Sequence, residues 1–441
     1  MNRTIQKHTY TQLELIKDQL LQWSQQYEEV IWLDSNSYEA QNYPEYEAIL
    51  AVEAFTSIKT DYYGAFDRLE EYQSTTQDWI FGYLSYDLKN DVERLSSKND
   101  DGLEFPDLQF FQPKKLFLLK DGIIEMHYLP ICDDEMKMDY QDIISGFTAS
   151  NTQYPASSTP PLSIKLKIHK EAYKEKVRTM LSHIQRGDIY EANFCQEFYA
   201  QGTIDPVHTY KNLNAISSPP FATFLKMDEK YLLSATPERY LKKMGEKIVS
   251  SPIKGTSARS ADDVEDNAFA KALSQDPKER SENVMIVDLV RNDLSRIAQK
   301  GSVRVEELCK VYPFKQVHQM ISTVVCKQGV GISPVDVVRA TYPMGSMTGA
   351  PKVRAMQIME QLEETKRGLY SGSVGYFTPE GDFDFNVIIR SILYNAEEEY
   401  ISYSVGGAIT TKSDPDKEYA ECLLKAKAMR AVLEGNNGVR Y

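Results

Sequence analysis

Long apolar runs are missing from this chain. None of its 441 residues belongs to a stretch of 18 consecutive apolar residues, so no segment reads as a membrane-spanning helix. The opening residues, Met1-Asn2-Arg3-Thr4-Ile5-Gln6-Lys7, carry no apolar secretory region. Cysteine is sparse and scattered. Cys132, Cys195, Cys309, Cys326 and Cys422 have neither CxxC spacing nor an even count. That argues against a disulfide framework and leads to an expectation of reduced thiols in the cytoplasm. Positive charge is also short: 50 Lys and Arg stand against 64 Asp and Glu, a net −14. Such a balance argues against general nucleic-acid binding. An acidic chain that handles a small anion must build a local cationic pocket or use a metal.

What is present is ordinary globular composition, 42% hydrophobic and 26% charged, with length for a large core or two lobes. Val30–Leu33, Asp78–Tyr86 and Leu116–Leu119 read as strands in the first third. A Ser/Thr/Pro-rich connector at 149–163 divides an N-terminal α/β region, 1–148, from a second region, 164–437. It also fits a link between two parts of one fold. The second region opens with a helix near His169–Arg186, whose apolar residues recur at helical spacing. Further strands are expected at Ala222–Leu225, Tyr231–Ser234, Gly372–Phe377, Val387–Leu393 and Tyr400–Val405. Helices are expected across 264–299, at Pro351–Leu362 and from Pro415. Strands come in runs and helices in blocks, without βαβ alternation. The expected class is α+β, two-lobed, with antiparallel sheets packed together and helices outside.

Several segments carry chemical potential. Lys254 lies in Ser251-Pro252-Ile253-Lys254-Gly255-Thr256, after the strand-like Lys247–Ser250. A lysine held between Pro and Gly is a placed amine, able to act as a nucleophile once deprotonated; taken alone it also fits a solvated loop. Asp276-Pro277 and Asp414-Pro415 read as matching helix starts, each an N-cap followed by proline. They place Glu279 with Glu282, and Glu418 with Glu421, three apart on one helix face. Such pairs fit a solvated face near a favourable dipole end, or two halves of a carboxylate site for Mg²⁺. Met344–Arg354 is a glycine-broken loop entering a helix, without Walker spacing. Arg390 and Tyr376 at inward strand positions, with Gly406, Gly407 and Lys425, would suit a carboxylate.

Taken together, these segments resemble the chorismate-utilising enzymes, a family that includes anthranilate synthase component I, aminodeoxychorismate synthase component I, and the isochorismate and salicylate synthases. Pro252–Thr256, Glu282–Asp293 and Gly345–Met356 carry the resemblance, supported by Gly372–Tyr376, Val387–Arg390, Gly406-Gly407 and Glu418–Lys425. It covers residues 170–430 and is weaker before them, at Leu33-Asp34-Ser35 and Phe81–Asp87. Within the family, lysine at the Lys254 position marks the branch that aminates C4, where the C2-aminating anthranilate synthases have alanine. Gly187–Phe194 is similar to the same branch, and the water-activating lysine of the isochorismate synthases is absent at Glu191. Ser257-Ala258-Arg259 departs from the family's Arg-Pro-Arg, and Met344 stands where glycine is common. The family histidine aligns with Gln319, one place from His318, so no histidine role is carried over.

The resemblance implies a chorismate-binding domain at 164–437 and conversion of chorismate and ammonia to 4-amino-4-deoxychorismate, on the route to p-aminobenzoate and folate. It makes Lys254 the covalent nucleophile at C2 and Glu238, in Thr236-Pro237-Glu238-Arg239, the general acid that must hold a proton. It assigns Glu279, Glu282, Glu418 and Glu421 to Mg²⁺. Thr256, Ser346, Thr348, Tyr376, Arg390, Gly406, Gly407 and Lys425 would hold substrate, and Lys425 and Arg390 would help keep Lys254 neutral. No Gly-x-Cys-x-Gly nucleophile turn occurs, so a glutamine amidotransferase subunit is the expected ammonia source. No lyase segment is expected after 437. The competing expectations are anthranilate synthase component I and a non-catalytic chorismate binder or amidotransferase scaffold.

Overall fold

The computed structural model describes residues 2–38, 43, 45–146, 162–315 and 317–435. Most of the expected connector, 149–161, lies outside them. Among the described residues, twenty strands are joined by hydrogen-bonded ladders, and every ladder is antiparallel. Two layers result. One runs from Thr4–Thr9 through Ile123–Tyr128, Leu108–Lys120, Ala48–Thr60, Glu29–Asp34, Phe221–Met227, Lys230–Thr236 and Ser391–Asn395 to Tyr400–Ile409 and Glu191–Gln201. The other runs from Ile80–Leu84 through Ser373–Phe377, Phe383–Asn386, Arg239–Met244 and Lys247–Ser251 to Val317–Lys327. Leu108–Lys120 pairs into both.

Period-2 alternation decides which face each residue covers. Phe81 and Tyr83 join Ile31, Ile49, Leu225 and Leu232 in the core between the layers. Their neighbours Ile80 and Leu84 face the opposite way, under the helices Ala65–Thr76, Pro277–Ser295 and Pro334–Thr341. On the other outer face, Trp32, Leu50 and Tyr403 meet Leu13–Ser24, Lys170–Gln185 and Pro415–Leu433. Burial on both faces explains why these strands carry so few polar residues.

The expected class is therefore what forms, and several expected elements hold closely. The helix expected at His169–Arg186 runs Lys170–Gln185, and the last begins at Pro415. Segments on either side of the connector share ladders: Glu29–Asp34 pairs with Phe221–Met227, and Ile80–Leu84 with Ser373–Phe377. The expected strand Val387–Leu393 is broken. Phe383–Asn386 belongs to one layer and Ser391–Asn395 to the other, and between them Arg390 takes φ 53°. The chain crosses layers there, which a hydrophobic run cannot signal. No helix among the described residues is long and apolar enough to cross a membrane.

A buried ion pair ties the crossover region together. Arg367 and Glu363 meet at 2.7 Å, both almost inaccessible. The guanidinium also donates to the carbonyls of Asn193 and Met347, each at 2.7 Å, while Glu363 accepts from the backbone N–H of Cys195 at 3.0 Å. Arg367→Met strands Glu363 in the core. Urea denaturation should show a loss of about 3–5 kcal/mol, the usual cost of leaving one member of a buried pair uncompensated.

Candidate active site

Lys254 lies on the strand Ile253–Ala258, two residues beyond Pro252. The ladder to Val317–Lys327 slips between Ile253 and Thr256, so Lys254 and Gly255 sit at a bulge. Gly255 takes φ +100°, and a Cβ there would press on Met320 and Glu279. Asn283, on the helix Pro277–Ser295, donates to the carbonyls of Lys254 at 3.1 Å and Met320 at 3.2 Å. One helix thus fixes the lysine's backbone and carries Glu279 and Glu282 beside it.

The bulge faces a cavity of about 550 Å³, a size that suits a small organic ligand. Its walls bring together Lys254, Glu238, Thr256, Ser346, Arg390, Gly406, Lys425, Glu279, Glu282 and Glu421. The register Thr256↔Gln319 turns both residues inward, whereas His318 pairs with Ser257 and bonds Asp266 at 2.9 Å. Gln319 therefore lines the cavity, and His318 does not.

Four expected site residues are not brought to the cavity wall. Thr348 is fully buried, and its hydroxyl donates to the Gly345 carbonyl at 3.1 Å; it shapes the loop instead. Tyr376 falls on the inter-layer side of its strand, packed on Trp79 and Phe81, and lines a separate small pocket with Asp384 and Asn386. Alternation along Tyr400–Ile409 turns Gly406 in and Gly407 toward Glu418, where a Cβ would lie 3.6 Å from its Oε2. Glu418 is buried just behind the wall. Sequence reasoning missed Tyr370, Asn193 and Lys278, which do line the cavity. Tyr370 sits in the turn before Ser373–Phe377, and two tyrosines six residues apart gave no periodic signal to separate them.

The carboxylates behave differently from one another. Burial pushes Glu238 up to about 7, against the opposing pull of Ser346, Lys254 and the backbone N–H of Ile253. Burial raises Glu282 to about 7 as well, and raises Glu279 and Glu418. Glu421 is lowered, first by Lys425, which it meets at 2.7 Å. Lys425 also donates to the Gly406 carbonyl at 3.1 Å.

The lysine's surroundings correct one expectation. Lys425 and Arg390 do not dominate at Lys254. Burial lowers its pKa, but Glu191, Glu282 and Glu238 outweigh burial and hold it above the ordinary lysine value. The protein without ligand keeps this amine charged.

Asp276 and Asp414 cap their helices as expected, accepting from Glu279 N–H at 2.9 Å and Lys417 N–H at 3.0 Å. The four glutamates thus arrive from two helix starts on different layers. Among the described residues no three of them bring oxygens within 4.8 Å of one another. The Lys278 ammonium lies 3.7 Å from Glu282 and 3.9 Å from Glu279, and is raised by all four carboxylates. Hard oxygen donors in excess of their cations fit Mg²⁺ held partly through water.

A family model described as chorismate binding enzyme matches residues 19–431. Aminodeoxychorismate synthase component 1 of Klebsiella aerogenes is 34% identical over 353 residues, 80% of this chain and 76% of that protein. Aminodeoxychorismate synthase of Streptomyces pristinaespiralis is 41% identical over 283 residues, 64% of this chain but 39% of that longer protein. A crystal structure of anthranilate synthase component I from Streptococcus pneumoniae superposes with a TM-score of 0.76 at 25% identity, covering 88% of this chain and 93% of that one. The chain belongs to the chorismate-binding enzymes.

The buried Glu238 has a consequence for stability. Its carboxyl titrates near 4.5 when unfolded and about 7 when folded, so the native state holds the extra proton between those values and stability falls as pH rises through that window. Glu238→Gln removes the penalty. Its stability relative to the parent should be level near pH 4.5 and higher by about 3 kcal/mol at pH 8, read from urea denaturation at both.

Proposed function

We propose that this member of the chorismate-binding family is an aminodeoxychorismate synthase component 1, which aminates chorismate at C4 with ammonia. The observation that carries the proposal is Lys254, set at a bulge on the wall of the cavity that Glu238 also lines. Hydroxide leaves C4 only when protonated. A carboxyl that titrates about 7 keeps its proton in about half the molecules at neutral pH, against almost none at the ordinary value, and suits a general acid. The Lys254 amine attacks C2 as the hydroxyl departs, and ammonia then enters at C4 and displaces the lysine. The net reaction places an amino group on the ring, a transfer chemistry.

Around these two groups, Arg390 and Tyr370 face the cavity from the layer crossover and the turn before Ser373–Phe377, fit to hold a substrate carboxylate and ether oxygen. Lys425, braced by Glu421 and the Gly406 carbonyl, adds a further cation to the cavity wall. Ser346 bonds Glu238 and orients its carboxyl. Glu279, Glu282, Glu418 and Glu421 would hold Mg²⁺, which when bound neutralises the ring carboxylate. Ammonia comes from a glutamine amidotransferase partner, since no Gly-x-Cys-x-Gly turn is present in the chain. Five free cysteines, all buried, suit a cytoplasmic setting.

Product analysis with chorismate, Mg²⁺ and ammonium tests the proposal. The expected product is 4-amino-4-deoxychorismate; fluorescent anthranilate would mean C2 amination and overturn it. Lys254→Ala should lose most C4 amination, and Lys254→Arg should not restore it, because guanidinium stays protonated. Glu421→Gln should weaken Mg²⁺ binding by calorimetry and lower turnover at least ~100-fold; full activity in excess EDTA would remove the metal from the scheme. With glutamine in place of ammonium, the isolated chain should make no product until the amidotransferase is added.

A further inference from the structure

Three carboxylates stand out around the Lys254 ammonium: Glu191, Glu282 and Glu238. Two have other duties in the proposed scheme. Glu238 must carry the proton that releases hydroxide, and Glu282 belongs to the acidic pairs. Glu191 has no such duty. It opens the strand Glu191–Gln201, and its backbone is pinned opposite Ala350. Its side chain is 2% accessible, with Oε1 3.5 Å from Lys254 Nζ. Its Oε2 is buried and has no hydrogen-bond partner. An orphaned carboxylate oxygen in a dry site is costly, and a proton accepted from the neighbouring amine would relieve the cost by neutralising both groups.

We propose that Glu191 is the general base that takes a proton from Lys254 and frees the amine to attack. This rests on the covalent role proposed for Lys254. The balance closes. The Lys254 ammonium gives one proton to the Glu191 carboxylate. The amine lone pair forms the N–C2 bond, the two conjugated ring double bonds move one place, and the C4–O bond breaks. Glu238 gives its proton to the departing oxygen, and water leaves. Ammonia adds at C4, the double bonds move back, and the C2–N bond breaks with its electrons returning to the lysine nitrogen. The new C4 ammonium returns a proton to Glu238, and Glu191 returns its proton to Lys254.

The charges facing Lys254 come from every neighbouring element. Glu191 comes from its strand and Glu238 from the turn after Lys230–Thr236. Glu282 and Glu279 come from the helix Pro277–Ser295, and Glu421 from the helix Pro415–Leu433. Lys278, Arg390 and Lys425 line the same cavity. Among these, Glu191 is the carboxylate within 4.0 Å of the amine.

Glu191→Gln keeps the shape and removes the base. The full chain is mixed with chorismate and Mg²⁺ without ammonia, and adduct formation on Lys254 is timed by intact mass from pH 6.5 to 9.5. At pH 7.5 the variant should be slower by ~100-fold or more. Its rate should climb ~10-fold per pH unit as free amine becomes available below the ordinary lysine pKa. Glu191→Asp, which retracts the base without deleting it, should recover part of the rate with a flatter profile. If Glu191 is only a counter-ion, its removal loosens the hold on the ammonium, and Glu191→Gln matches or exceeds the parent at every pH; that result overturns the inference alone. Parent protein that aminates chorismate with no adduct on Lys254 overturns the covalent role itself.

Discussion

The guanidinium of Arg367 holds the catalytic cavity in shape. It reaches the carbonyls of Asn193 and Met347, on two adjacent segments that line the cavity, and it is neutralised by Glu363, whose carboxylate anchors the backbone of Cys195. Arginine suits this place because its planar fork serves several carbonyls at once and does not lose its charge in a dry core. Its ring-facing side lies 4.3 Å from the Tyr86 ring centre, which covers the remaining face. The bulge at Lys254 and the crossover at Arg390 both face that one cavity. The irregular backbone at those two points is tolerated because regular ladders and this ion pair surround it.

Electrostatically the cavity is a contest between burial and proximity. Burial pulls the pKa of Lys254 down, and proximity to carboxylates more than restores it. At Glu238 the contest goes the other way: Lys254 and Ser346 pull the carboxyl down, and burial prevails. One enclosed space thereby holds a charged amine and, at neutral pH, an acid that keeps about half of its protons. Environment, not residue type, separates the roles. The same acidity that argued against nucleic-acid binding at the level of the whole chain is here concentrated into two glutamate pairs with lysines interleaved.

Much of this was legible beforehand, and the reasons are local. Asp276-Pro277 and Asp414-Pro415 announce helix starts through their own chemistry, and both form as expected. Lys254 stood out because Pro, Gly and a preceding strand constrain it. Signals failed where the fold, not the residue type, decides what a side chain meets. Tyr376 and Tyr370 differ only in which side of a turn they occupy, and Thr348 looked like a binding hydroxyl until its own loop claimed it. The break at Arg390 lies inside an apolar run that is buried in both layers, so no periodicity marks it. Glu191 is separated from Lys254 by 63 positions, and its importance appears only when an unpaired oxygen is found facing the core.

The two acidic helices belong to different layers. Pro277–Ser295 packs its apolar side against Leu241, Ile248 and Val324, whereas Pro415–Leu433 packs on Phe194, Tyr403 and Ile409. Each glutamate pair is therefore carried by its own layer. A ligand that engages both pairs is bound best at one spacing of the sheets, and by reciprocity it stabilises that spacing. The sandwich is in this sense a caliper: the width of its gap and the affinity of its cavity are two expressions of one free energy, and a change far out on either sheet that alters the gap is read at the cavity.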